Sequence, residues 1–201
     1  MVFRRLEQLN NIIVNCTCTT AEDVLDVDEA LSVLKTLLLD MNRSKGMAYI
    51  IGNGGSSGIA SHFCNDLIKG LKIPANTLVD SNVVTCLAND YGYENCFSEA
   101  LKVNMKQQDL LVAISSSGNS RNILNAVRVA KNKKAKVVTL SGFDAENPLR
   151  QLGYINFWLD RRDYGLVEMG HFFILHSLVD CFKAINSKMN VEVLIDNEQQ
   201  N

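Results

Sequence analysis

Along the chain, short apolar runs alternate with longer stretches of helical period. The runs are Met47–Ile51, Thr77–Val79, Leu110–Ile114, Lys136–Ser141 and Tyr154–Leu159. Runs of this length, bounded by polar or glycine-containing turns, predict strands covered on both faces. Helical patterns fill the intervals, over about 57–69, 81–88, 94–105, 120–130 and 165–186. Two more precede the first strand. Phe3, Leu6, Leu9 and Ile13 share one face of the first. Thr19 with Glu22 has the spacing of a capping box, which predicts the start of the second. That helix would run to about Arg43, with Val24, Val27, Leu31, Leu34, Leu38 and Met41 on one face. Alternating strands and helices predict an α/β fold: a three-layer αβα sandwich, a five-stranded parallel sheet and two extra N-terminal helices. A single domain is expected: N-terminal helices over 1–45, an α/β core over 46–187 and a polar, frayed tail over 188–201.

Two of the strand-to-helix junctions carry chemistry. After Met47–Ile51 comes Gly52-Asn53-Gly54-Gly55-Ser56-Ser57, and after Leu110–Ile114 comes Ser115-Ser116-Ser117-Gly118-Asn119-Ser120. A glycine- and hydroxyl-rich turn leading into a helix offers backbone N–H groups and a positive helix end to an anion. Neither loop is G-x-G-x-x-G or a Walker loop, so a sugar phosphate fits better than a nucleotide, and no nucleotide cofactor is expected. Two such loops on neighbouring parallel strands would face one crevice at the strands' C-terminal ends.

Bulk properties narrow the setting. The 201 residues suffice for one buried core, and a net charge of −2 gives no electrostatic reason to expect nucleic acid or a membrane surface. No apolar run of membrane-spanning length and no secretory signal is visible, so a cytoplasmic location is expected. The six cysteines are scattered and read as buried free thiols rather than metal ligands.

Among side chains able to move protons or hold a metal, His62 and Asp66 are four apart on the helix leaving the first loop, so they share a face. Glu168 and His176, eight apart on the last helix, also fall near one face; His171 lies within reach of Glu168. Two imidazoles and two carboxylates suit either general acid–base chemistry or a divalent metal site.

Taken together, Gly52-Asn53-Gly54-Gly55-Ser56 followed by His62-Phe63, Ala88-Asn89-Asp90-Tyr91-Gly92, Ile114–Ser120 and Leu140-Ser141-Gly142 resemble the sugar-isomerase (SIS) domain family in its phosphoheptose isomerase branch. The resemblance extends to about residue 186. It implies a flavodoxin-like fold and a homotetrameric bacterial enzyme with active sites at subunit contacts. The implied reaction interconverts sedoheptulose 7-phosphate and D-glycero-D-manno-heptose 7-phosphate through an enediol, supplying heptose for lipopolysaccharide or capsule. It implies phosphate binding by Ser115, Ser116, Ser117 and Ser120, and further substrate contacts from Asn53, Gly54, Gly55, Ser56, Asn89, Asp90 and Glu168. Asp66 and His176 would be catalytic. One zinc or similar divalent ion per subunit would be held by His62, Asp66, Glu168 and His176.

The chain departs from the family pattern in several places. Asp66 stands where the family usually has Glu, and Glu168 where it has Gln. An Arg is missing at the entry to the last helix, and Phe143-Asp144-Ala145-Glu146 replaces a Gly-Gly pair. Two other readings remain open: a non-catalytic SIS tetramer that binds the replication initiator DnaA, and a phosphosugar-binding sensor module. The retained His176 argues against the first, and the lack of a fused DNA-binding domain against the second.

Overall fold

The computed structural model describes the backbone of residues 1–198 and the side chains of residues 1–182. In chain order the strands are β1 (Thr17–Thr19), β2 (Val24–Leu25), β3 (Ala48–Ile51), β4 (Ala75–Asn76), β5 (Leu110–Ser115), β6 (Lys136–Gly142) and β7 (Ile155–Leu159). The helices are α1 (Val2–Val14), α2 (Val27–Arg43), α3 (Gly55–Asn65), α4 (Ser81–Tyr91), α5 (Cys96–Asn104), α6 (Arg121–Asn132) and α7 (Tyr164–Glu198).

Every residue of β3, β5 and β7 is buried, which is why these strands appear as unbroken apolar runs. Alternate side chains serve the two faces. Ala48, Ile50, Leu110, Val112 and Ile114 join a core with residues of α2, α3 and α7. Tyr49, Ile51, Leu111 and Ala113 join a second core with α5 and α6. These are the outer layers of the expected sandwich.

The sheet corrects the expected strand count. It has seven strands in the order β2-β1-β7-β6-β5-β3-β4. The five from β7 to β4 pair in parallel, as expected. The other two form a hairpin, β1 and β2, whose first strand lies antiparallel on β7. The Thr19/Glu22 spacing therefore marks a turn and not a helix start. Thr20 Oγ1 accepts from the backbone N–H groups of Glu22 (3.3 Å) and Asp23 (3.0 Å). The capping box sits further on: Asp26 accepts from Glu29 N, and the Glu29 carboxylate accepts from Asp26 N. Val24 thus lies on β2, exposed, while Leu31, Leu34, Leu38 and Met41 of α2 are buried as expected. The second parallel strand is Ala75–Asn76, two residues before its expected place.

α7 continues beyond the expected end at about residue 186, to Glu198, and the end of the expected tail, residues 199–201, lies outside the described residues. Its segment Tyr164–Phe182 is apolar enough to cross a membrane by length and composition, with mean hydropathy 1.2. Half of that window is buried, however, and Val167, Ile174, Leu178 and Val179 face the sheet, so it packs as a core helix. Cys86 and Cys181 are exposed, unlike the other four thiols, and all six cysteines are free.

Candidate active site

β3 and β5 are adjacent and parallel, so the loops that follow them open side by side. Their shared crevice, about 240 Å³, is lined by Asn53, Gly54, Gly55, Ser56, Ile114, Ser115, Ser116, Ser117, Ser120, Tyr164 and Glu168. Two helix N-termini, those of α3 and α6, begin at its edge. The serine loop turns at Gly118, whose φ of 65° is left-handed; a Cβ there would also collide with the buried Asn147 side chain. Ser115 Oγ donates to Ser120 Oγ at 3.2 Å. The Ser116 hydroxyl is buried and has no partner among the described residues. A buried hydroxyl left in that state is costly unless a ligand or water satisfies it.

A second locus lies further along α3 and α7. Asp66 Oδ2 is 3.2 Å from His62 Nε2 and 3.2 Å from His176 Nδ1. The three side chains offer ligand atoms within 4.8 Å of one another. At Asp66 the helix widens into a π-helical segment, Asp66–Leu71. Such segments are rare and frequent at functional sites. Phe172 backs the cluster, its ring centroid 4.8 Å from that of His62 and 6.1 Å from that of His176.

The expected quartet is therefore split. Glu168 is not with the histidines; its carboxylate lies over Gly55 in the crevice, where any Cβ would overlap it. Eight residues separate Glu168 from His176, about 12 Å of helix, so the helix that carries both delivers them to different loci. His171 does not meet Glu168. It is fully buried, with Nε2 3.0 Å from the Ser141 carbonyl, and burial pushes its pKa down to about 4. It is held neutral, donating from Nε2. Asn89 and Asp90 bond to each other at the exposed end of α4, outside the crevice lining of this chain.

Three side chains that the sequence patterns did not single out support the crevice, and of these Tyr164 lines it. Asn122, buried at the start of α6, exchanges two amide hydrogen bonds with Asn53, at 2.9 and 2.8 Å. Tyr93 donates its hydroxyl to Asn53 Oδ1 at 2.9 Å. Tyr164 opens α7 beside the serine loop. Its position is fixed by Asp163, which accepts from Leu166 N and pairs twice with Arg5 of α1, at 2.6 and 3.1 Å. The guanidinium holds the Asp163 carboxyl well below the usual carboxylate range. No local sequence pattern marks Asn122 or Tyr93, because both act through Asn53, 69 and 40 positions away.

Comparison with known proteins agrees with this geometry. The SIS domain family model matches residues 14–142. The chain is 34% identical over 165 residues to a phosphoheptose isomerase of Helicobacter pylori, covering 78% of this chain and 84% of that protein. It is 30% identical over 176 residues to that of Helicobacter hepaticus, covering 85% and 89%. Among solved structures it is similar to phosphoheptose isomerase GmhA from Neisseria gonorrhoeae, with a TM-score of 0.74, 26% identity, and 90% and 92% of the two chains covered. A phosphoheptose isomerase from Francisella tularensis gives a TM-score of 0.71 at 27% identity, covering 76% and 84%. By its sequence and by the geometry of its two loops, the chain belongs to the SIS domain family, in the phosphoheptose isomerase branch.

Proposed function

We propose that the protein is an aldose–ketose isomerase that interconverts sedoheptulose 7-phosphate and D-glycero-D-manno-heptose 7-phosphate. The observation that carries this reading is the span between an anion crevice and an acid–base cluster on the same pair of helices. A long phosphosugar suits such a span better than a short one. Phosphate would rest on Ser115, Ser116, Ser117 and Ser120 and on the positive end of α6. The sugar would pass Asn53, Gly54, Gly55, Ser56 and Glu168, with C1 and C2 directed to Asp66 and His176.

In this scheme the Asp66 carboxylate takes a proton from C1 of the ketose. The freed electron pair forms the C1=C2 bond while the C2 oxygen takes a proton from the His176 imidazolium, giving the enediol. In the second half His176 removes the proton from O1, the C1=O bond forms, and Asp66 returns its proton to C2. Position governs such transfers before pKa does. The 3.2 Å contact between the two side chains supports this pairing.

Two nitrogens and one carboxylate oxygen are a donor set that fits zinc. In a metal-bound form His62, Asp66 and His176 would hold the ion, and its Lewis-acid polarisation of a carbonyl oxygen would take the place of the proton from the His176 imidazolium. Glu168 would serve the substrate and not the ion. We further propose a cytoplasmic homotetramer with sites at subunit contacts. No residue of α4 is buried although it carries Val83 and Tyr91, and Asn89 and Asp90 at its end would reach a site only across such a contact.

The test is conversion of sedoheptulose 7-phosphate to the aldose by the purified chain, with and without added zinc. No conversion in either condition, for this or any heptose phosphate, would end the isomerase reading.

A further inference from the structure

The side-chain amide of Asn53 is almost wholly committed within the protein. Its Oδ1 accepts from Tyr93 Oη and from Asn122 Nδ2, and its Nδ2 donates to Asn122 Oδ1. The orientation of this closed pair is dictated at one point. The backbone N–H of Ile123 can only donate, and it lies 3.0 Å from Asn122 Oδ1. This N–H belongs to the first turn of α6, where no intrahelical acceptor is available. Asn122 must present oxygen to it, which leaves the Asn122 nitrogen facing Asn53, and so Asn53 must answer with oxygen. With the amide so oriented, the phenol of Tyr93 donates to that same oxygen at 2.9 Å. Asn122 is 3% exposed, so its half of the pair is shielded from water.

A primary amide has two N–H donors. Asn122 takes one from Asn53, and no described residue takes the other. Asn53 lines the same crevice as the serine loop. We propose that Tyr93 and Asn122 are positioning residues that aim the second Nδ2–H of Asn53 into the crevice, as a donor to a hydroxyl or carbonyl oxygen of the bound sugar. The inference rests on the phosphosugar reading above. It predicts that the crevice holds the sugar and the phosphate with separate groups, and that Tyr93, which does not line it, still governs sugar affinity.

Tyr93→Phe removes only the hydroxyl of an exposed ring and leaves the fold intact; Asn122→Ala is a harsher companion. Affinities for sedoheptulose 7-phosphate and for inorganic phosphate are measured by titration calorimetry, in the wild-type and Asn53→Ala backgrounds. Tyr93→Phe is expected to weaken the sugar phosphate about 3- to 10-fold, the worth of one net hydrogen bond, with inorganic phosphate unchanged. In Asn53→Ala it is expected to have no further effect, because it acts through that amide. The inference is overturned if Tyr93→Phe changes nothing, weakens both ligands equally, or acts as strongly without Asn53. It is also overturned if the wild-type protein does not bind the sugar phosphate. Turnover is scored separately. Asn53-dependent binding without turnover removes the isomerase reading alone, and turnover with Asn53-independent binding removes this inference alone.

Discussion

His176 Nδ1 and Asp66 Oδ2 lie 3.2 Å apart although 110 residues separate them in sequence. The same carboxylate oxygen also faces His62 Nε2 at 3.2 Å. One acidic side chain, a methylene shorter than the family's usual glutamate, thus serves two imidazoles. Replacing it by asparagine keeps its size and removes the base. Asp66→Asn is expected to lower kcat about 10²- to 10⁴-fold. Binding of inorganic phosphate should be unchanged, because the serine loop lies at the other end of α3. Steady-state kinetics and calorimetry check both halves; loss of phosphate binding would show that the two loci are one.

Glu168 brings a negative charge into an anion crevice, directly over Gly55. Two like charges about 4 Å apart repel by about 1 kcal/mol even in bulk water. Glu168→Gln should therefore tighten inorganic phosphate about 3- to 10-fold at low salt. The gain should shrink as ionic strength rises. An unchanged affinity would mean that phosphate rests away from Glu168.

The split between the loci also sets the metal behaviour. If His62, Asp66 and His176 bind zinc, saturation at about 100 times Kd adds about 2.7 kcal/mol. For a chain of this size that raises Tm by roughly 5–10 °C. Asp66→Asn and His176→Ala should abolish the shift, and Glu168→Gln should retain it. Loss of the shift in Glu168→Gln would place that carboxylate among the ligands after all.

His171 predicts a pH dependence of stability that has no catalytic origin. Its folded pKa is about 4, below the ordinary value of 6.5. The unfolded chain binds the extra proton first, so this contribution is fully present above pH 6.5 and is lost as pH falls towards 4. The slope approaches about 1.4 kcal/mol per pH unit within that window. Denaturant unfolding at stepped pH should show this slope in the wild type and a reduced one in His171→Gln.

How far the sequence revealed these features follows from where each signal resides. The strands β3, β5 and β7 were legible because burial on both faces leaves an apolar run, and the two loops because their chemistry is contiguous. The β1–β2 hairpin was not. Its strands are three and two residues long, and Thr20 satisfies its turn with the same residue types that cap helices. His62 and Asp66 were legible as one turn of one helix. Helical period gave Glu168 and His176 a common side of α7, but it carries no information about what α3 presents at each level. Asn122 acts through a residue 69 positions away, a distance no local pattern spans.

The most direct test of the central claim is the fate of the C1 and C2 protons. Sedoheptulose 7-phosphate incubated with the protein in D₂O and followed by NMR should give the aldose with deuterium at C2, because a proton held on Asp66 exchanges with solvent before it is returned. Asp66→Asn should form product and label at least about 10²-fold more slowly. Aldose formed without any solvent deuterium would contradict the enediol route, and an unlabelled, unconverted ketose with the wild-type protein would contradict the isomerase assignment itself.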